Sequence, residues 1–523
     1  MAGFVDVLLR GLILCGMAVT LGGVVFALIV IRPAARVRPE LARVRARTLT
    51  LVAIGAAVVG LAQLGALLLQ LSTLADGGAW PVAEVSETLY FQVSLARMAI
   101  ALGVIVAAVL QRSEPGRTGS LVLLAVLALT LGLLAAGTSH AAARVEGRIS
   151  LFLLDALHQM AAFVWIGGLF HLIVSALSPR VPAWPGLLLP RFSALAFTAV
   201  AALVVSGVGL SLTYIDGLTA VTGTAYGLMV GTKVLLFGGL LVLGAMNFFE
   251  VRTLRGEASI PTARLRRYVE VEFGLGVTVL LAAASLTSLP PAVDVVADRA
   301  TFSEVAKVFT PKAPRFSSPS IEELPVEDRF APRTEADRAW SEYNHHTSGL
   351  FVLTMGLLAI VARTRWGGWA RHWPLIFLGL AAFLFVRSDP GSWPQGPIGF
   401  WESFKYPEVL QHRLAVLLVV IFAIFEWGVR TGCIRSPRAA LVFPLLCVAG
   451  GALLLTHSHA SFNLKWEFLV EVTHTPLGVL ALLVGWTRWL ELRLQSPENR
   501  LPGRLWPVAF AMIGVLLIFY REV

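Results

Sequence analysis

The sequence predicts an all-α integral membrane protein of about 14 transmembrane helices, eight before a long polar segment and six after it. Three observations carry the prediction. The 523-residue chain is 57% hydrophobic and only 14% charged, whereas soluble domains run at about 25% charged. Apolar runs of about 20 residues, each able to cross a hydrocarbon core of roughly 30 Å as a helix, recur along nearly the whole length. The arginines gather in alternate loops between those runs, a pattern of membrane orientation.

In chain order the runs fall at 4–31, 48–72, 88–111, 119–139, 151–176, 192–214, 226–249 and 269–289, then 346–362, 373–387, 410–429, 438–456, 470–488 and 505–520. The first, "MAGFVDVLLRGLILCG", has no basic n-region and no small-residue cleavage site, so it reads as a retained helix and not a signal peptide. The densest basic loop follows it, "RPAARVRPELARVRAR", with Arg32, Arg36, Arg38, Arg43, Arg45 and Arg47. Every second loop after that is basic too. These hold Arg112 and Arg117, Arg180 and Arg191, Arg252 through Arg267, Arg363 through Arg371, Arg430 through Arg438, and Arg488 through Arg504. All of them fall on one side of a fourteen-helix topology. That side is then cytoplasmic and both termini lie outside. A single miscounted helix would scramble the alternation.

Residues 290–345 ("FTPKAPRFSSPSIEELPVEDRFAPRTEADRAW" within them) are rich in Pro, Ser and charge and fall on the outer side. They read as a linker or draped loop between an eight-helix domain, 1–289, and a six-helix domain, 346–523. The net charge of +10 sits in short loops and so marks orientation, not nucleic-acid binding. Cys15, Cys433 and Cys447 are scattered in or beside apolar runs, which excludes a disulfide framework or a CxxC metal site. No Walker A motif and no Asp-Lys-Thr-Gly phosphorylation motif is present, so ATP-driven pumping by this chain alone is not expected.

Orientation gathers the histidines. His140 ends the fourth run and His158 begins the fifth. His345 and His346 open the ninth, His412 the eleventh, His457 and His459 close the twelfth, and His474 begins the thirteenth. These eight of the chain's ten histidines share the outer face, with His171 deeper in the fifth helix and His372 on the cytoplasmic side. One histidine at a membrane interface is ordinary amphipathic decoration. Eight on one face are candidate metal ligands.

An internal echo sharpens the pattern. "LLAAGTSHAA" with "LLDALHQM" in the first half is matched by "ALLLTHSHAS" with "LVEVTHTP" in the second, pairing His140 with His459 and His158 with His474. Asp155 and Glu471 each stand three residues before the second histidine. Residues i and i+3 share a helix face, so each carboxylate can approach its imidazole and orient it, as carboxylates do behind metal ligands. The alternative for each is a polar helix start favoured by the helix dipole. The two hairpins run in the same direction, so the repeat is parallel and weak. Neither His346 nor His412 has a counterpart in the first half.

The stretches "SHAAA", "DALHQMAAFVWIGGLFHL", "RFSALAFTAVAALVVSGVGLSL", "GTAYGLMVGTKVLLFGGLLVLGAMNFF" and "RRYVEVEFGLGVTVLLAAASLTSLPPA" resemble the copper resistance protein D (CopD) family of bacterial inner-membrane proteins. The resemblance runs in order over about residues 1–297. It implies copper binding or transport at the cytoplasmic membrane, with His140 and His158 on the periplasmic side and a periplasmic copper-binding protein as partner. Imidazole suits copper and thioether favours Cu(I), so Met160 and Met98 are candidate sulfur donors, with plain packing as the alternative. Lys233, the one lysine before residue 300, is expected to snorkel to the interface, with pairing to a carboxylate as the other choice. Gly167 and Gly168 are expected to permit close helix packing. In the second half, histidines on four helices (346, 412, 459 and 474) also fit a b-type haem held between facing helices. The leading reading is a copper-binding or copper-transport protein and not an enzyme. An electron-transfer cytochrome with haem b, or a membrane factor that delivers copper to a partner, are the alternatives.

Overall fold

A computed structural model describes residues 2–114, 116–176, 185–253, 262–324, 334–456 and 465–522. It is 81% helix, and no strand occurs among the described residues. Among the described residues, fourteen helices are long and apolar enough to cross a membrane. They are α1 (Gly3–Ala35), α2 (Pro39–Ala75), α3 (Leu89–Ser113), α4 (Thr118–Ala136), α5 (Arg148–Val174), α6 (Gly186–Tyr214), α7 (Ala225–Arg252), α8 (Ala263–Leu286), α9 (Glu335–Val361), α10 (Gly368–Arg387), α11 (Val409–Thr431), α12 (Ala439–Thr456), α13 (Lys465–Arg493) and α14 (Arg500–Ile518). Every apolar run therefore has its helix.

The differences lie at the ends, where hydropathy is blind to polar residues that are nonetheless helical. The basic loop after α1 is mostly helix, because α2 begins at Pro39. α9 begins at Glu335, not 346, since a capping box starts it: the Thr334 hydroxyl accepts from the Asp337 N–H (3.2 Å) and the Asp337 carboxylate from the Thr334 N–H (2.9 Å). His345 and His346 consequently sit about three turns inside α9. His140 does not close α4, which stops at Ala136; it begins a separate helical turn, His140–Ala143.

The helices form two compact units, Met1–Arg299 and Ala300–Val523. In the first, α1 is central: 67% of its apolar window is buried, against 17% in α6. It packs on α2, α4, α5 and α8. Its contact with α5 is backbone against backbone. A Cβ on Gly167 would fall 1.8 Å from the Ala18 carbonyl oxygen, and one on Gly22 would fall 2.6 Å from that of Phe163. Only glycine permits that approach. In the second unit α9 packs on α14, and α12 and α14 on α13, around Trp373, Trp506, Phe443 and Phe510.

Described parts of the polar segment after α8 are tied down at several points. Asp294 pairs with Arg144 (2.7 Å) and Arg299 with Asp216 (2.9 Å) in the first unit. In the second unit Glu304 pairs with Lys465 (2.6 Å), and Arg387 hydrogen-bonds Ser318.

Candidate functional site

A cavity of about 560 Å³ lies within the first unit. Its polar lining comes from distant parts of the chain: Arg10 on α1, Arg97 on α3, His140, then Asp155, His158 and Gln159 on α5, Tyr214 on α6, and Tyr226 and Lys233 on α7. Four hydroxyls (Thr138, Ser139, Ser211 and Thr287) add to it, and the rest is aliphatic, aromatic or glycine. Three residues of the opening histidine hairpin, His140, Asp155 and His158, thus share one chamber.

Each of them is held differently. The His140 ring lies edge-on to Tyr214 (6.5 Å between centroids) and Tyr226 (6.3 Å). Its Nε2 is buried with no hydrogen-bond partner, as is the Tyr214 hydroxyl. Burial pushes the imidazole below its ordinary range, against the pull of the Leu286 carbonyl and Asp155, so it is neutral at pH 7. His158 Nδ1 lies 3.1 Å from the Ser206 hydroxyl. That hydroxyl already donates to the Ala202 carbonyl at 2.6 Å, so it accepts from Nδ1–H and leaves the lone pair on Nε2. Nε2 is therefore the nitrogen left to bind a metal.

Asp155 does not orient His158 as the i, i+3 spacing predicts. It accepts instead from the Gln159 amide (2.8 Å), one turn on, because a short carboxylate reaches the longer i+4 amide while the imidazole turns to Ser206. Met160 lies on another face of α5, its sulfur 3.4 Å from where a Cβ on Gly132 would stand, and is not part of the cavity lining. Met98 packs with Leu67, Leu71 and Val85. Lys233 does not snorkel to an interface but lines the cavity. The tyrosines, Arg10, Arg97 and Ser206 went unnoticed in the sequence. Charged residues inside apolar runs, Arg97 and Lys233 among them, were the available signal for a polar interior.

In the second unit the structure brings together His345 and His474, 5.9 Å between ring centroids. Each donates its Nδ1–H to the carbonyl one turn back, Ser341 and Val470, both at 2.8 Å. Tyr520 stacks on His345 at 3.9 Å, and its hydroxyl donates to Glu522 at 2.7 Å. His346 is differently used. Its Nδ1 accepts from the Arg315 N–H (2.7 Å) and its Nε2 donates to the Tyr520 carbonyl (2.7 Å). With both nitrogens on main chain it is a structural clasp, not a ligand. His412 pairs with Asp389 (2.7 Å) at a half-exposed position, and Glu471 is buried. His457 and His459 lie outside the described residues. A four-helix haem set including His346 does not fit this arrangement. Among the described residues no group of three or more His, Cys, Asp or Glu side chains is assembled to hold a metal.

Fourteen membrane-length helices among the described residues, with charged side chains lining a chamber in the first unit, define a multi-pass membrane protein. Comparison with known proteins narrows the class. Residues 186–286 match the copper resistance protein D family, CopD. The chain is also 34% identical over 158 residues to the copper transport protein CutJ of Bacillus subtilis (strain 168), a stretch covering 29% of this chain and 28% of that protein. These findings support a CopD-family assignment. No solved structure matches the chain.

Proposed function

We propose that this chain is a bacterial inner-membrane protein that binds and moves copper, with its polar cavity opening toward the periplasm. The carrying observation is the convergence of His140 and His158 on one cavity in the unit that bears the family match. Neutral imidazoles are good copper ligands and need lose no proton to bind. Copper is the cargo here, not a resident cofactor. His474, which the weak parallel repeat matches to His158, stands beside His345 in the second unit and is a second candidate ligand, and a periplasmic copper-binding protein is the natural donor or acceptor. The arginine alternation supports a topology with both termini outside.

Metal analysis of the purified protein is expected to find copper, and the double variant His140→Ala/His158→Ala to lose most of what the first unit holds. An unchanged copper-to-protein ratio in that variant rejects the site. Uptake into proteoliposomes then separates transport from delivery to a partner, and an absorption spectrum of the same sample without a Soret band disposes of haem.

A further inference from the structure

The cavity is open sideways, between α6 and α7. Val204, Val208 and Leu212 on α6 and Val234 on α7 all line it, yet they are 43%, 55%, 78% and 63% exposed. The two helices pack away from each other, α6 on α5 and α7 on α8, and touch at few points. The gap between them lies along membrane-spanning segments, so it faces hydrocarbon.

What stands inside is unbalanced. Lys233 makes no ion pair among the described residues. Arg97 spends its guanidinium on neutral acceptors, the Gln63 side chain (2.6 Å), the Leu134 carbonyl (2.8 Å) and Thr138 (3.0 Å). Arg10 is paired with Asp6 (2.7 Å). The one carboxylate in the lining is Asp155; Glu272 lies behind the wall, bound by Trp165 and Asn247. Lys233 and Arg97 thus face one carboxylate, Asp155, whose charge acts on Lys233, so one positive charge is left in surplus in a medium where a bare charge is costly. The volume exceeds what an ion and its ligands fill, and the walls are mostly apolar.

We infer that this chamber is a lateral-entry site for a single-chain amphipathic carboxylate drawn from the bilayer, its head group on Lys233 and its tail in the gap between α6 and α7. The occupant supplies the missing negative charge and fills the apolar volume. Nothing in it depends on copper.

The test uses the intact protein in phosphatidylcholine nanodiscs with 11-bromoundecanoate as probe, a heavy-atom quencher of tryptophan. Trp165 lines the cavity, and subtracting the Trp165→Phe signal isolates it from the other tryptophans. Saturable quenching of Trp165 is expected, weakened about tenfold by Lys233→Gln and restored by Lys233→Arg. The neutral 11-bromoundecanol should bind both wild type and Lys233→Gln weakly. Equal quenching by acid and alcohol, or no change in Lys233→Gln that still elutes as a folded monodisperse species, overturns the proposal. So does quenching of Trp165 by a dibrominated phosphatidylcholine in place of the acid, since the occupant is then an acyl chain of the surrounding lipid. Metal analysis of the same variants is independent: copper retained in Lys233→Gln leaves the copper reading intact whatever the quenching shows.

Discussion

Two histidines three turns into α9, adjacent in sequence, do different things because adjacent residues on a helix face about 100° apart. His345 meets Tyr520 and His474, while His346 bridges the main chain of Arg315 and Tyr520. The distinction makes a prediction. His346→Ala orphans a partly buried N–H and a buried carbonyl, the latter worth roughly 1–3 kcal/mol. Thermal melts should show a loss of that order, while the copper content stays at the wild-type value. The inverse result, intact stability with lost copper, would return His346 to the ligands. Which histidines cluster was not legible in the sequence, because i, i+3 spacing brings a carboxylate near an imidazole without saying which takes the other. Gln159 and Ser206 decided that for Asp155 and His158.

Between elements, the fold depends on how closely α1 and α5 approach. The "WIGGL" glycines were expected to serve packing, and Gly167 does so against Ala18 and Gly22, with Gly168 against Phe192. Gly167→Ala must push the two helices apart, since the clashing atom is a backbone carbonyl that cannot rotate away. Overpacking of this kind costs about 1–3 kcal/mol, so a lower melting temperature is expected in a nanodisc assay. Gly186→Ala, which meets nothing within 4 Å, is the control that should not shift it. Because α5 also carries Asp155 and His158, the same variant should disturb the cavity.

For the whole molecule, orientation and the polar segment give two further tests. Cys433 is exposed in the basic loop between α11 and α12, whereas Cys15 and Cys447 are partly buried within helices. A membrane-impermeant maleimide should therefore label Cys433 in inverted vesicles and leave it untouched in intact cells. Labelling from outside would invert the topology. The Lys465 ammonium beside Glu304, with the Thr301 N–H and hydroxyl behind it, brings that carboxyl from 4.5 down to about 2. A folded-state value below the unfolded one adds stability that is present above pH 4.5 and lost as pH falls through about 2. The Glu304→Gln variant should thus melt slightly below wild type at neutral pH, and the gap should close with acidification. A gap independent of pH would mean the pair is held by packing instead of charge. The effect is small, since the pair is solvent-exposed.

The sequence alone determined the membrane class, the number of spanning helices and the histidine hairpin worth attention. Each of these rests on local quantities: apolar run length against bilayer thickness, and residue type at a helix end. Tertiary structure decided what those residues face. Lys233 reads as an interfacial snorkel in a one-dimensional apolar run, and becomes a cavity cation only when α5, α6 and α8 surround it. Met160 reads as a ligand two residues from His158, and becomes core because a helix turns it about 200° away. Rotation around the helix axis and the identity of the neighbour are properties of packing, and they chose which polar side chains meet.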